Sequence, residues 1–582
     1  MPDSTRRDAL QSWDNALDSL GQAVKLYGGS TVALFTHFDG ETRSTPHNDL
    51  PSEDALQHID TRLARIEQLE VELHNMRIAV QGLRNTSTKL SPVTRLPPEI
   101  LAYIITIGAD EDRLVMAAKE ALMDDEDDSL DEDDTGPPDP PHFPTLISHV
   151  CRRWRQIVLD TPMLWTRIDF REGPPFDKAK EWLNRSQDCH LEVVFDVVED
   201  ATQFSDIEPV LVALNILQPH SARISRLLIR MNTPDEMAII IGRLTSQDQI
   251  LPLKALALMV DEADGDLLAT ESLQGKAGIL KAILEGLEEL QIERVSIPWD
   301  QVSFRGLKIL KLLSLGQAES PTPQQLHAIL SASPNLEAFE MYDSDLEGSF
   351  ERTELSPIVF PKLHSLKLST LDRTTTQFAF HIITAPNLSI LHVGEIDISS
   401  RSGRSSSKTE GRKWLSAFFD RIEPTSLRTL RIAEDDLNES DFIAILSASR
   451  GLEEVHLGEN LDVNHRLLEW LQGKAEDGTS ACPNLKTLKL ESCNNVTSES
   501  VKSLVEARQA AGRPLQTLSV KYCNLEEEGV KEWLQARVPD VTLEEDSDGE
   551  GSSMGEGTDM DDLDMEMTDG DGPDLEMTDD EW

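Results

Sequence analysis

From residue 224 onward the chain returns repeatedly to one pattern, Leu-x-x-Leu-x-Leu followed two or three residues later by Cys, Asn or Leu. Leu307-Leu310-Leu312-Leu315, Leu336-Phe339-Met341, Leu363-Leu366-Leu368-Leu371 and Leu388-Leu391-Val393-Ile396 fit it. So do Leu427-Leu430-Ile432, Leu452-Val455-Leu457, Leu485-Leu488-Leu490-Cys493 and Leu515-Leu518-Val520-Cys523. Ile224-Leu227-Ile229 and Leu253-Leu256-Leu258 are weaker members. Ala328-Ile329-Leu330-Ser331-Ala332-Ser333 recurs as Ala444-Ile445-Leu446-Ser447-Ala448-Ser449, each reading as a helix that runs into the next strand. One such unit cannot bury its apolar face alone, so the pattern demands stacking of neighbours into a continuous core.

Successive starts are 29, 27, 25, 39, 25, 33 and 30 residues apart. Most of these intervals lie in or near the range of leucine-rich repeats. The fold class expected is therefore an α/β solenoid over residues 171–542. The longest interval holds a Ser-rich surface insertion at Ser399–Ser407. Ile292-Val295-Ile297 also fits the template but stands too close to Leu307 for a full repeat, so the register between 260 and 306 stays open. In each strand the paired apolar residues point inward and the residues between them point out. Lys367, His392, Arg431, His456, Lys489, Glu491 and Lys521 are thus the candidate partner-binding face, mixed in sign. Cys493 and Cys523 stand where the backbone leaves the strand, a place for a small, weakly polar side chain. Leu525, Val530, Trp533 and Leu534 read as a closing helix, with the array ending near Val541.

Ahead of the repeats, Leu10, Trp13, Leu17, Leu20 and Val24 mark one face of a helix, ended by Gly28-Gly29 and followed by a loop to residue 54. In residues 55–90, Leu56, Ile59, Leu63, Ile66, Leu69, Leu73, Met76, Val80 and Leu83 alternate steps of three and four, with a stammer at Ile66–Leu69. A homodimer through residues 56–84 is one reading of this coiled-coil-like helix. Packing against residues 10–26, or onto the next domain, is the other.

Residues 91–170 carry Leu96-Pro97-Pro98-Glu99-Ile100-Leu101, where Pro98 opens a helix, and later Val150-Cys151-Arg152-Arg153-Trp154-Arg155 and Leu164-Trp165. Between them, at about 108–142, lies an acidic, Pro-rich stretch expected to be a disordered insertion. This order of motifs resembles the F-box of fungal, basidiomycete-type F-box proteins with C-terminal leucine-rich repeats. The resemblance implies a small all-α F-box domain. It also implies the role of substrate receptor in a Skp–cullin–F-box ubiquitin ligase, with an adaptor and a cullin scaffold as partners besides an unknown protein substrate. Leu96, Pro97, Ile100, Leu101, Ile104, Val150, Cys151 and Trp154 would face the adaptor or support that face. Two departures stand out: Ile105 where the family often has Phe, and the long insertion.

Charge narrows the partners. The chain carries 105 acidic against 54 basic residues, a net charge of −51. Such a field repels phosphate backbones, which argues against nucleic acid as a partner. Residues 543–582 form an acidic tail expected to be disordered. Two alternatives to the ligase role follow: a leucine-rich-repeat scaffold without ligase work, and a binder of basic proteins through that tail. Five cysteines without a Cys-x-x-Cys pair support neither a disulfide framework nor a zinc site. Phosphate-loop, dinucleotide and metalloprotease motifs are absent from the sequence, so no enzyme activity, cofactor or metal is expected. Without a membrane-length apolar run, the expectation is a soluble protein of the cytoplasm, the nucleus or both.

Overall fold

The computed structural model describes residues 3–42, 53–85, 92–123, 142–171, 173–196, 208–245, 251–261, 277–300, 302–317, 319–348, 355–397, 417–423, 425–433, 437–458, 463–473, 481–493, 495–523, 525 and 529–544. It divides into two units, Met1–Val158 and Leu159–Trp582.

The first unit is helical: α1 (Asp3–Thr42), α2 (Glu53–Asn85), α3 (Pro98–Met123), α4 (Phe143–Ser148) and α5 (Arg152–Leu159). The helix expected to stop at Gly28-Gly29 instead runs to Thr42. A glycine costs an exposed helix interior only about 1 kcal/mol, too little to end it. The stretch expected to be an insertion from 108 is helical as far as Met123, because Leu114, Val115, Met116, Ala117 and Ala118 keep helix-forming character past Gly108. The acidic run and proline cluster that follow lie outside the described residues. In α3, Leu101, Ile105 and Ala109 are buried on one face. α3 and α4 approach closely at Gly108, where an added Cβ would sit 2.6 Å from Phe143 Cζ.

The second unit is a mixed α/β, solenoid-like array. Its strands are β1 (Arg167–Asp169), β2 (Leu191–Asp196), β3 (Ile224–Met231), β4 (Ala255–Val260), β5 (Glu289–Glu293), β6 (Ile309–Leu313), β7 (Ala338–Tyr342) and β8 (Ile358–Val359). There follow β9 (Ser365–Asp372), β10 (Ile383–Thr384), β11 (Ile390–Asp397), β12 (Thr429–Ala433), β13 (Glu454–Gly458), β14 (Thr487–Glu491), β15 (Thr517–Lys521) and β16 (Asp540–Glu544). All but β8 and β10 form one parallel sheet in chain order, and those two pair with each other. Parallel neighbours require a crossover between them, and most crossovers here carry a helix. Several helices begin with the same device. The side chains of Thr233, Thr322, Asn438 and Thr497 each accept from the backbone N–H three residues on, and their own backbone N–H donates to that residue's side chain.

The near copy is borne out in three dimensions: Pro323–Ser331 leads to β7 and Glu439–Ala448 to β13. The two part company where Asn335 is matched by Gly451. A Cβ on Gly451 would meet the carbonyl oxygen of Thr425 at 2.5 Å, so no side chain fits.

The open register closes differently from expectation. The strand there is β5, with Leu290 opposite Leu256 and Leu310, and the motif is Leu287-Leu290-Ile292-Val295. It is a full member of the sheet. Its crossover to β6 is short because buried Val295, Ile297, Trp299, Val302 and Phe304 fill the place of a helix. Trp299 Nε1 also donates to the Glu319 carbonyl at 2.6 Å. The sheet starts earlier than residue 171, at β1, and Leu164 and Trp165 belong to this unit. Trp165 is buried edge-on to Trp182, with Arg185 over its ring at 4.5 Å. The helix expected to close the array (Val530–Gln535) is followed by a further strand, β16, paired to β15. The Ser-rich insertion, and the acidic tail past Glu544, lie outside the described residues.

One backbone feature recurs at a single repeat position. Arg294, Ser314, Asp343, Thr370, Ser492 and Tyr522, each two residues past the second strand apolar, all have φ between 45° and 52°. None is glycine, and left-handed backbone costs an L-residue about 1–2 kcal/mol. The geometry is held by hydrogen bonds. Ser314 N donates to Tyr342 O at 2.8 Å, Asp343 N to Ser369 O at 3.1 Å and Ser492 N to Lys521 O at 3.0 Å. Ser314→Val is therefore expected to destabilise the protein by about 1–2 kcal/mol, while Ser314→Gly stays within about 1 kcal/mol of the parent. Urea unfolding checks this; equal effects would show that the left-handed turn is not what the position requires.

Candidate functional site

Two surfaces carry the candidate residues, one in each unit.

In the first unit, α3 opens at Pro98 directly after Leu96 and Pro97. Burying Leu101, Ile105 and Ala109 leaves the opposite side of the helix outward. Ile100 and Ile104 are 46% and 50% exposed, and Tyr103 and Ile107 stand beside them. Leu146 on α4 and Val150 just beyond it are exposed as well, Val150 at 56%. Pro97 is exposed, while Leu96, Cys151 and Trp154 are half-buried. Arg153 ties the motif's two halves together, its guanidinium donating to the Leu96 carbonyl. Arg155 Nε donates to Ser148 O at 3.0 Å. Of the eight residues expected here, Leu101 is core, and Ile100, Ile104 and Val150 are open. Tyr103, Ile107 and Leu146 were missed, although the three-and-four spacing from Ile100 points to the first two.

In the second unit the parallel register sets outward side chains side by side. His392 is opposite Lys367 and Arg431, Arg431 is opposite His456, and His456 is opposite Lys489. Five residues far apart in sequence thus form one row across β9, β11, β12, β13 and β14. At about 4.8 Å per strand the row is roughly 19 Å long. Lys311 and Glu340 prolong it on β6 and β7, opposite one another and then Lys367. Both were missed, yet they hold the same place between the strand apolars. Glu491 and Lys521 belong to the parallel row two residues further on, opposite each other.

The row is partly neutralised. Glu340 lies 3.4 Å from both Lys311 and Lys367, and Glu454 lies 2.9 Å from Lys489. His456 Nε2 is 2.8 Å from Glu491 Oε2. That hydrogen bond first, then the charges of His456, Arg431 and Lys521, holds Glu491 below the usual carboxylate range despite burial. Lys521 pairs with Glu544 at 3.0 Å. Arg431 is different. Its Nε is buried without a hydrogen-bond partner, and among the described residues none forms an ion pair with its guanidinium. His392 beside it is pushed down to about 3, by burial first and then by Arg431, Lys367 and His456.

The cysteines at the strand exits are core. Cys493 and Cys523 are buried, and Cys493 N donates to Cys523 Sγ at 3.3 Å. Cys482 is held up at about 12 by burial. Among the described residues no helix is long and apolar enough to cross a membrane, and no three His, Cys, Asp or Glu side chains are grouped to hold a metal. No family model matches the chain, and no curated protein matches it.

His392 takes up a proton in the unfolded chain below its ordinary 6.5 but stays neutral in the fold down to about 3. Stability is therefore lost as pH falls through that window. Between pH 7.5 and 5 the parent should lose about 2 kcal/mol more than His392→Gln, measured by denaturant unfolding at each pH. An equal loss in both would mean that His392 protonates freely in the fold.

Proposed function

We propose that the chain is an F-box protein with leucine-rich repeats, serving as substrate receptor of a Skp–cullin–F-box ubiquitin ligase. The helical unit binds the adaptor, which links to the cullin scaffold, and the concave face of the solenoid holds a protein substrate. Catalysis then comes from proximity within the assembly, with no reacting side chain supplied here. The observation that supports this reading most is the open apolar surface of Ile100, Tyr103, Ile104, Ile107, Leu146 and Val150. Exposed apolar side chains gathered in one small unit mark an interaction site, and these lie on the segment whose motifs resemble the F-box. A receptor of this kind works in the cytoplasm, the nucleus or both.

The test is capture of the adaptor by the full chain. Ile100→Asp combined with Ile104→Asp places charge on the apolar surface while Leu101 and Ile105 keep the core. Capture should fall at least about tenfold, a loss of roughly 1.4 kcal/mol. Full capture by the double variant would remove the F-box assignment. It would leave the repeats as a scaffold, or the tail as a binder of basic proteins.

Self-association is proposed as well. Ile59, Leu63, Leu69, Leu73, Met76 and Val80 on α2 are all exposed in the single chain. With these as the a and d seam, Arg62 and Glu67, and again Glu72 and Arg77, fall at g and e positions five residues apart. A parallel pair sets each beside its opposite charge. Light scattering of the full chain should read about twice 64.9 kDa, and Leu63→Asp with Leu73→Asp should return the single-chain mass. A single-chain mass for the parent would point instead to packing of α2 against α1.

A further inference from the structure

The large sheet ends at β16, and this strand differs from those before it in two respects. The first is pairing. β15 lies along one edge of β16, and among the described residues no strand lies along the other. Asp540 N donates to Gln516 O at 3.1 Å, and Glu544 O accepts from Tyr522 N at 2.9 Å. Main-chain groups alternate between the two edges of a strand. Those of Asp540, Thr542 and Glu544 therefore face β15, and those of Val541 and Leu543 face the open edge. Each of these two residues presents an N–H and a C=O there, a ready template for another strand.

The second respect is burial. Val541 and Leu543 stand opposite Leu518 and Val520 and continue their inward apolar rows. Leu518 and Val520 are fully buried, with β16 on their far side, whereas Val541 and Leu543 are only half-buried. In a stacked array each unit covers the one before, and the last needs a polar outer face or a cover. Here the core ends on two apolar side chains, and the described residues supply no element beyond β16.

Charge selects what can lie there. Asp540 and Glu544 flank the two open residues, Asp540 exposed and Glu544 3.0 Å from Lys521. No Lys or Arg occurs from Glu545 to Trp582. Like charges on adjoining strands weaken pairing, and opposite charges strengthen it. A second copy would bring its own Asp540 and Glu544 to this edge. The chain's own run Leu563-Asp564-Met565-Glu566-Met567 has the alternation of a strand but carries the same sign. Both are disfavoured, and a basic strand is favoured.

We propose that the open edge of β16 binds an extended segment of a protein partner in which apolar and basic residues alternate, added as the next strand of the sheet. Its main chain bonds to Val541 and Leu543, and its apolar side chains cover those two residues. Its Lys or Arg side chains stand beside Asp540 and Glu544. The site is on the folded sheet, apart from both the outward row and the helical unit, and goes beyond the ligase reading.

Fluorescence anisotropy on the full chain tests it with a labelled heptapeptide, Val-Lys-Val-Lys-Val-Lys-Val. Two peptides serve as comparison, Val-Val-Lys-Lys-Lys-Val-Val and Val-Glu-Val-Glu-Val-Glu-Val. The alternating basic peptide should bind at least about tenfold more tightly than either. Leu543→Pro removes an N–H that faces only the open edge, a place where a strand accepts proline. It should abolish the preference for the alternating peptide over the one with consecutive lysines. Asp540→Lys alters an exposed side chain, so it should keep the parent's melting midpoint even if Leu543→Pro does not fold. It should weaken the alternating basic peptide at least about threefold. Equal binding of the two basic peptides by the parent overturns the site, since it would show attraction to the acidic tail without strand addition. Unchanged binding by Leu543→Pro at the parent's melting midpoint overturns it too, as does no binding at all. Tighter binding of the acidic peptide would assign the edge to a second copy or to the chain's own tail and overturns the choice of partner. Adaptor capture, which reads the helical unit, should be the same for the parent and both variants.

Discussion

At the exits of β5, β6, β7, β14 and β15 the backbone turns through a left-handed residue, and its N–H reaches across to a carbonyl in the following strand. The next residue's N–H goes to a side chain one repeat further on, as Leu315 N does to Ser344 Oγ at 3.0 Å and Cys493 N to Cys523 Sγ at 3.3 Å. These two bonds continue the parallel ladder past the point where the strand itself stops. They satisfy backbone donors that would otherwise be buried without partners. They also require consecutive turns to lie in one register. Once the turns are aligned, so are the inward leucines, and each repeat covers the apolar face of the one before it. The helix-free link after β5 leaves this alignment undisturbed, with Leu290 still opposite Leu256 and Leu310.

The same alignment produces the candidate binding face. Side chains at one repeat position stand about 4.8 Å apart whatever their separation in sequence. Like charges at that spacing repel, and the face answers with interleaved acids: Glu340 between Lys311 and Lys367, Glu454 on Lys489, Glu491 on His456 and Glu544 on Lys521. These are partly exposed pairs, worth little individually to stability, and Arg431 and His456 both act on Glu491. His392 stays neutral among them, by burial first and then by the neighbouring cations.

In the helical unit the governing contact is different. Gly108 lets Phe143 lie directly on α3. That approach, with Arg153 on the Leu96 carbonyl, presents Leu146 and Val150 on the same unit as Ile100 and Ile104. The buried apolar residues of this unit include Leu101, Ile105, Ala109, Ile157 and Val158, and Ile100, Ile104, Leu146 and Val150 stay outside.

Much of this was legible in the residues. The period of the leucines alone demanded stacked strands and crossovers, because a side chain's inward or outward direction follows from its place in the strand. The row from Lys367 to Lys489 could be named for that reason, and so could the small residues at the turns. The turn geometry could not, since a left-handed backbone at Arg294, Thr370 or Tyr522 runs against local preference and is imposed by bonds to the neighbouring repeat. Nor could the register around Leu287, where buried aromatic side chains replace a helix that periodicity leads one to expect. The first strand at Arg167 depends likewise on its neighbour, the strand β2 it pairs with. What only the tertiary structure decided is which charges meet. Glu340 serves two lysines and Glu491 bonds to His456, and no spacing along the chain encodes a distance between side chains on different strands.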